Sequence, residues 1–253
     1  MTTSYTERFY RNQRDGSRAS AQEIVPLVME LVAPRSVVDV GCGLGTWLGV
    51  FRTHGVEDVV GVDGPYVDPA LIEIPAVRMR RADLTRPLAL GRRFDLAVSL
   101  EVGEHLPAAV AATLVASLTA LSDVVLFSGA APFQGGTDHV NEQWPAYWMA
   151  LFAGHGYGAI DAIRWQVWDN ARVVPCYAQN TLLYANETGL VRCPRLAAAR
   201  SKDRVPPAVV HPRLYADHAD PAKLTVRRAL GLLRRAARNA FERRVLQRPR
   251  PSA

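Results

Sequence analysis

Cysteine and long apolar runs are both scarce in this chain of 253 residues. Its three cysteines are too few for a disulfide framework, and their spacing contains no C-x-x-C pair of the kind that binds zinc. No apolar stretch reaches the length of a membrane-spanning helix, and the polar, basic first twenty residues carry no apolar signal core. The simplest predicted compartment is therefore the cytoplasm.

The chain does have enough apolar material, 49% of its residues, for one complete α/β domain. Its formal net charge of +6 hides an asymmetry. Residues 1–191 contain 14 Lys and Arg against 20 Asp and Glu, whereas residues 192–253 contain 16 against 4. The balances of −6 and +12 predict an acidic domain over 1–191 followed by a basic extension over 192–253.

Short apolar runs alternate with helical patterns along most of the chain. The runs predict seven strands, at residues 36–40, 58–62, 76–80, 94–100, 123–127, 160–168 and 177–185. Helical spacing predicts helices over 19–32, after Gly45, from Pro107 onward and near 143–155. Such alternation is typical of βαβ units. The predicted fold is α/β, a doubly wound and mostly parallel seven-stranded sheet with helices on both faces, closed by an antiparallel strand pair.

The first predicted strand leads into three glycines, Gly41, Gly43 and Gly45, before a helix begins. Glycines here permit positive φ and let a ligand approach the backbone closely. A dinucleotide fingerprint, G-x-G-x-x-G, would place its third glycine one residue later, where Thr46 stands. The spacing therefore favours S-adenosylmethionine (SAM) over NAD, with an ordinary tight turn as the plainer alternative.

Two carboxylates follow the next strands. Asp63 ends the second strand, where a carboxylate can accept both ribose hydroxyls of either cofactor, and Asp83 follows the third, where one can accept the adenine amino group. Either acid alone is more often a solvated strand end. Their order behind the glycine loop favours a SAM site.

With these motifs the chain resembles the class I SAM-dependent methyltransferases, and its loop after the fifth strand, residues 133–148, resembles that of bacterial enzymes of sugar and natural-product modification. The resemblance extends over about residues 19–186 and is carried by four stretches, 37–45, 60–63, 82–84 and 94–107. It implies that Asp39 and the three glycines shape the methionine pocket. It also implies that Asp63 holds the ribose and that Asp83, with Leu84, holds the adenine.

Candidate catalytic groups follow the fourth strand. Glu101, Glu104 and His105 cluster where a substrate would lie, beyond the carboxyl ends of the strands. They are suited to orienting or deprotonating a hydroxyl, and Glu101 and His105 are predicted to take part. Alternatively, Glu104 and His105 only cap a helix that begins at Leu106.

The loop after the fifth strand is rich in glycine, polar groups and aromatic rings. His139 is the first candidate for a general base, because an imidazole titrates near neutral pH. Aromatic and polar side chains beside it suit a sugar or a flat ring, so the predicted acceptor-binding residues are Asn141, Glu142, Trp144 and Tyr147. Asp138, Asn141 and Glu142 are also candidate ligands of a divalent cation, although their spacing is not diagnostic.

Two methyltransferase classes are disfavoured. The chain has no Asn/Asp-Pro-Pro-aromatic run after the fourth strand, which argues against amino methylation of nucleic-acid bases. Cys176 lies just before the last strand, whereas the nucleophile of a cytosine-carbon methyltransferase would follow the fourth strand. We therefore expect Cys176 to be an ordinary, partly buried thiol.

The basic extension contains a predicted amphipathic helix at about 220–247, with an apolar stripe and many arginines. It is suited to packing against the catalytic domain or a second subunit, to lying on an anionic membrane surface, or to binding RNA phosphates. The predicted function is SAM-dependent O-methylation of a small molecule or sugar. The rivals are an RNA methyltransferase that uses the basic helix and a catalytically silent SAM-binding module that recruits a partner.

Overall fold

The computed structural model describes residues 7–65, 67, 69–201, 205–220, 222, 226, 229–234 and 236–237. By its contacts the chain divides into two units, residues 1–211 and residues 212–253. The first unit contains the sheet and eight of the helices given below.

One seven-stranded sheet forms the centre of the first unit. Its strands are β1 (Ser36–Val40), β2 (Asp58–Asp63), β3 (Met79–Arg81), β4 (Leu96–Leu100), β5 (Val124–Ser128), β6 (Gly158–Ile160) and β7 (Leu182–Ala185). They lie in the order β3-β2-β1-β4-β5-β7-β6. The first five are parallel, and β7 runs antiparallel to both β5 and β6. The predicted doubly wound sheet with an antiparallel closing pair is confirmed.

Helices flank the sheet and connect its strands. The helices of the first unit are α1 (Glu7–Val32), α2 (Thr46–Thr53), α3 (Ala111–Leu121), α4 (Pro145–Ala153), α5 (Arg164–Val167), α6 (Pro175–Asn180), α7 (Glu187–Arg192) and α8 (Pro194–Ala199). Short 3-10 turns occur at Pro69–Leu71, Ala76–Arg78, Gly103–His105 and Ala108–Val110.

Both faces of the sheet are covered, as the continuous apolar runs predict. Val37 and Leu126 belong to one buried cluster with α1 and α2. Val38 and Phe127, one residue further along each strand, belong to the other cluster with α3 and α4. Successive side chains of a strand point to opposite faces, so every residue of the central strands β4, β5 and β7 is buried, whereas two residues of the edge strand β3 are exposed.

Some element boundaries differ from the prediction. The first helix begins at Glu7 and not at residue 19, and the helix expected from Pro107 begins at Ala111 after a 3-10 turn. The strand predicted over 160–168 ends at Ile160. Helix α5 follows it, and its first residue, the buried Arg164, pairs with the carboxylate of Asp161 three residues earlier.

The strand predicted over 177–185 is wrong in its first half. Helix α6 runs through Asn180, and β7 occupies only Leu182–Ala185. Pro175 stands at the first turn of α6, where a proline favours a helix start.

The second unit begins with α9 (Pro212–Ala219). Of the helix predicted over 220–247, residues 226, 229–234 and 236–237 are helical, and most of its arginines lie outside the described residues. The compositional change near residue 192 comes before the end of the first unit, in which α8 buries Leu196 in the core. The domain limit stays a prediction. Among the described residues, no helix combines the length and apolarity needed to cross a bilayer.

Candidate active site

The three glycines after β1 all adopt left-handed backbone conformations. The φ angles of Gly41, Gly43 and Gly45 are 85°, 52° and 79°, in the region where a side chain is strained. A Cβ atom at Gly41 would lie 2.4 Å from a methyl carbon of Val102, whereas one at Gly43 would meet nothing within 4 Å. Gly43 therefore faces open space, and its lack of a side chain leaves that space free.

Asp63 fastens this glycine loop to the end of β2. One of its carboxylate oxygens accepts a hydrogen bond of 2.6 Å from the backbone N–H of Gly43, and the other accepts one of 2.6 Å from Gly64. The side chain is buried. Asp63 thus positions the loop from the strand beside it, a role that the sequence did not predict, while its predicted role at the ribose stays a prediction.

A cavity of about 130 Å³ opens beside the loop. Asp39, buried in β1, and Glu101, after β4, bring two carboxylates to its wall. Burial, and then the charge of Asp63, raise the pKa of Asp39 well above its usual value. The lining residues are Ser17, Asp39, Gly41, Cys42, Gly43, Leu44, Thr46, Trp47, Leu100, Glu101 and Tyr177.

Asp83 and Leu84 lie apart from the lining of this cavity. The exposed carboxylate of Asp83 accepts hydrogen bonds from the backbone N–H of Thr85 at 2.9 Å and from its hydroxyl at 2.6 Å. These bonds lower the pKa of Asp83, and Arg86 lowers it further. Leu84 is half-buried against α3 and its neighbours.

Glu101 is held at the end of β4 in a strained conformation. Its φ angle is 54°, unusual for a residue with a side chain. Gln134 donates to one carboxylate oxygen at 2.8 Å and Asn180 donates to the other at 3.1 Å. Its orientation is therefore fixed by the loop after β5 and by the end of α6.

Glu104 is fully buried in the 3-10 turn that follows. Neither of its carboxylate oxygens has a partner with ordinary hydrogen-bond geometry. Burial, and then the neighbouring charge of Glu101, raise its pKa well above the usual value. Its backbone carbonyl accepts from the N–H groups of Val140 and Asn141 at 2.8 and 3.0 Å. The side chain does not cap a helix, so that alternative is wrong for Glu104.

The two candidate histidines meet edge to face. The ring centroids of His105 and His139 lie 4.8 Å apart with an interplanar angle of 88°. Nδ1 of His139 lies 3.0 Å from a carboxylate oxygen of Glu142, and that carboxylate also accepts from the N–H groups of Phe133 and Gly135 at 2.8 and 2.7 Å. Partial desolvation of the His105 ring by the neighbouring loop, and then the charge of His139, lower the pKa of His105.

The remaining predicted acceptor residues differ in their surroundings. Asn141 is buried, and its side-chain amide donates to the carbonyl of Gly103 at 3.4 Å, so it joins two loops. Trp144 is 41% exposed. Tyr147 is half-buried, with its hydroxyl 3.5 Å from the carbonyl of Ala108. Trp144 and Tyr147 are accessible to a ligand.

Trp148 belongs to the core and not to the accessible surface. It is buried against Phe127, with ring centroids 4.9 Å apart. A Cβ atom at Gly103 would lie 2.5 Å from its ring, and one at Gly129 would lie 3.0 Å from its nitrogen. The indole therefore fills the room that these two glycines leave.

Several polar residues of the site carry no motif in the sequence. Nε1 of Trp47 donates to the hydroxyl of Ser17 at 2.9 Å, and that hydroxyl lies 3.2 Å from the hydroxyl of Tyr177. These residues line the cavity from α1, α2 and α6. Gln134 and Asn180, which hold Glu101, likewise come from distant parts of the chain. Of these residues, only Gln134 lies in the polar loop after β5 that the sequence marks as a candidate site. The residues predicted from that loop were others.

The strand order, the antiparallel β7 and the glycine loop after β1 define a Rossmann-like α/β domain with a cofactor cavity at its carboxyl edge. The family model described as a methyltransferase domain matches residues 7–170. The chain belongs to this methyltransferase family, as the sequence motifs predict.

Solved structures of methyltransferases share the fold. The sugar N-methyltransferase KedS8 of a Streptoalloteichus species is 18% identical, with a TM-score of 0.54 over 74% of this chain and 97% of its own. SAM-bound magnesium protoporphyrin IX methyltransferase of Synechocystis is 18% identical, with a TM-score of 0.52 over 72% and 86%. An O-methyltransferase family protein of Burkholderia thailandensis is 17% identical, with a TM-score of 0.51 over 72% and 60%. No curated protein sequence matches the chain.

Proposed function

We propose that the protein is a SAM-dependent methyltransferase that methylates a hydroxyl group of a small molecule, such as a sugar or a natural product. The observation that carries this proposal is the left-handed glycine loop beside a cavity with carboxylates on its wall. Membership of the methyltransferase family supports it, and one of the solved structures of this fold is described with bound SAM.

The cavity suits a cofactor that carries positive charge. Asp39 and Glu101 line it, and none of the lining residues that the structure describes is Lys or Arg. A dinucleotide would instead bring anionic phosphates to this place. The ammonium and sulfonium groups of SAM complement the two carboxylates. The assignment of Asp63 to the ribose, and of Asp83 with Leu84 to the adenine, rests on the family resemblance, because these residues lie outside the lining of the cavity.

When bound, SAM supplies a methyl carbon activated by its sulfonium sulfur, so the protein has to align and activate the acceptor. Glu101 lies at the mouth of the cavity, and the two histidines lie on the loops that follow β4 and β5. Because Nδ1 of His139 is engaged by Glu142, its Nε2 is left to receive a hydroxyl proton. Trp144 and Tyr147 offer aromatic faces to the acceptor.

Transfer to oxygen is preferred over transfer to nitrogen because of this histidine. An acceptor hydroxyl is a weak nucleophile until a base removes its proton, whereas a neutral amine is nucleophilic without that step. Relatives of the fold include both a sugar N-methyltransferase and an O-methyltransferase family protein. The preference therefore rests on the geometry of His139 and Glu142.

A glycine pair offers a matched test of the cofactor. Gly43→Ala and Gly55→Ala both place a methyl group at positive φ, and in both cases the Cβ meets no protein atom within 4 Å. Backbone strain is therefore similar, about 1 kcal/mol or more in each. Only Gly43 borders the cavity. Calorimetric titration with SAM, with NAD in parallel, compares the two variants with the natural chain.

We expect SAM to bind the natural chain and Gly55→Ala alike, and to bind Gly43→Ala with a Kd raised about tenfold or more, a loss of about 1.4 kcal/mol. NAD should not bind. Equal SAM affinity in the two variants would contradict the assigned cofactor position. Absence of SAM binding by the natural, folded chain would refute the proposed function.

A further inference from the structure

We propose that Glu104, His105 and His139 bind a divalent transition-metal cation next to the methyl-transfer site. The candidate ligand atoms of these three side chains all lie within 4.8 Å of one another. Two come from the turn after β4 and one from the loop after β5, so the fold joins the ligands across the carboxyl edge of the sheet. This inference rests on the proposed function and specifies how its acceptor hydroxyl is bound.

The spacing fits a single ion after small side-chain adjustments. Imidazole nitrogens and carboxylate oxygens lie about 2.0–2.2 Å from Zn²⁺, which puts tetrahedral ligand atoms about 3.4 Å apart. The observed limit of 4.8 Å is somewhat wider. His105 is exposed, so its ring can rotate toward the other two ligands without disturbing the core.

Glu104 is the independent observation that calls for a cation. Its side chain is 0% exposed, yet neither carboxylate oxygen has an ordinary hydrogen-bond partner. The carboxylate also neighbours that of Glu101, and no ion pair of either glutamate is found among the described residues. Buried carboxylates normally pair with cations or bind metals. A divalent ion would give these buried oxygens the bond that they lack.

Glu142 holds His139 as carboxylates hold metal-binding histidines in general. Its oxygen lies 3.0 Å from Nδ1, which fixes the ring and leaves the lone pair of Nε2 for a ligand bond. Glu142 is itself fixed by the backbone N–H groups of Phe133 and Gly135. Asp138, Asn141 and Glu142, which the sequence offered only as candidate ligands, are not the set proposed here, because Glu142 orients a ligand and Asn141 joins the loops.

The donor set indicates which cation binds and what it does. Two imidazoles and one carboxylate suit Zn²⁺, Mn²⁺ or Fe²⁺ better than Mg²⁺, which prefers oxygen ligands. Three protein ligands leave positions open for an acceptor oxygen. A hydroxyl bound there would have its pKa lowered by the ion itself, so that its proton would leave to solvent as the oxygen takes the methyl group from the sulfonium sulfur. Nε2 of His139 then acts as a ligand and not as the general base.

Metal binding can be measured without an acceptor. Full-length protein freed of metal with a chelator is titrated with Mn²⁺, and free Mn²⁺ is followed by electron paramagnetic resonance. We expect one site in the natural chain, with affinity reduced at least tenfold in His105→Ala and in His139→Ala. His155→Ala, which removes an exposed imidazole elsewhere, is the matched control and should leave binding unchanged.

Gly136→Ala tests the geometry with all three ligands retained. A Cβ there would lie 2.2 Å from Nε2 of His139, so the ring must move. We expect weaker Mn²⁺ binding in this variant too, together with loss of the rise in melting temperature that a bound metal gives the natural chain. Zn²⁺ should displace Mn²⁺, and excess Mg²⁺ should not.

The outcomes separate the two proposals when SAM is titrated into the same preparations. SAM binding without Mn²⁺ binding would overturn the metal site and return His139 to the role of general base. Mn²⁺ affinity that is equal in the natural chain, His105→Ala and His139→Ala would also overturn it. Mn²⁺ binding at these residues without SAM binding would uphold the site and refute the proposed cofactor.

Discussion

The side-chain amide of Asn180 donates a hydrogen bond of 3.1 Å to the carboxylate of Glu101, across 79 residues of sequence. It joins the end of α6 to the end of β4. The same amide donates to the side-chain oxygen of Gln134 at 2.8 Å, and Gln134 donates to the other oxygen of Glu101. The three side chains form a closed network that aims the Glu101 carboxylate.

Asn180→Asp should disrupt this network with almost no change of shape. It removes the donor and places a second carboxylate against Glu101, so we expect the free energy of unfolding at pH 8 to fall by about 1–3 kcal/mol. Urea unfolding measures this change. The control is Asn170→Asp, which faces Glu23 in a similar way but near solvent and beside Arg172. An equal loss of unfolding free energy in Asn170→Asp would show that burial of the Glu101 network does not add to its stabilising effect.

Asp39→Asn should stabilise the free protein at neutral pH while weakening SAM binding. Because burial raises the pKa of Asp39 above its unfolded value of about 3.9, its ionised form opposes folding. That cost is absent below the unfolded pKa and grows as the pH rises toward the folded pKa. The variant should therefore be more stable than the natural chain at pH 7–8, and the difference should vanish near pH 4.

Chemical unfolding at several pH values tests the sign for Asp39. Asp83→Asn is a control of opposite sign, because hydrogen bonds from Thr85 lower the pKa of Asp83. The stabilisation that ionised Asp83 gives the folded protein is present above its unfolded pKa, and it is lost as the pH falls through the lower folded pKa. Its exposure makes the effect small. If the natural chain were more stable than Asp39→Asn at pH 8, the ionised Asp39 carboxylate would not destabilise the folded protein, and the prediction would be wrong.

Arg164 is a buried cation that forms hydrogen bonds to three segments of the chain, at Asp161, Gln179 and Pro207. Its guanidinium forms a double hydrogen bond with Asp161 at 2.8 and 2.6 Å and donates to the carbonyls of Gln179 and Pro207 at 3.3 and 3.1 Å. Arg164→Met leaves the Asp161 carboxylate without its cation, so we expect a loss of about 3 kcal/mol or more in the free energy of unfolding.

Thermal and urea unfolding would measure the loss at Arg164. Arg52→Met is the matched control, because Arg52 lies 3.5 Å from the exposed carboxylate of Glu57. A surface pair of this kind contributes less than about 1 kcal/mol. Similar losses in both variants would mean that Arg164 is not the point at which the three segments are joined.

The parts of the site that could be predicted from sequence are those set by short stretches of chain. Gly41, Gly43 and Gly45 are recognisable because a left-handed turn after a strand demands glycine at fixed spacing. Asp63 is recognisable because it ends the neighbouring strand. The sheet follows from apolar runs that are buried on both faces, whatever the distant contacts.

What could not be predicted depends on contacts between distant segments. Asn180 and Tyr177 reach the site through α6, which the sequence suggests is a strand because its residues continue an apolar run. Asp83 has the expected position in the chain, but Thr85, two residues later, engages its carboxylate. The burial of Glu104 could not be predicted either, since charged residues are rarely buried without a partner.

Trp148 has a consequence for how acceptor preference changes. Since its indole packs against both Gly103 and Gly129, the loops after β4 and β5 form one block, and a substitution at Trp148 would alter both loops together. Phe133, which is 84% exposed, and Trp144 lie on the same stretch of chain, but their exposed rings do not fill the space between the two loops as Trp148 does. New acceptor specificities should therefore arise at these two exposed rings. Their shape can change while His105 and His139 keep their positions.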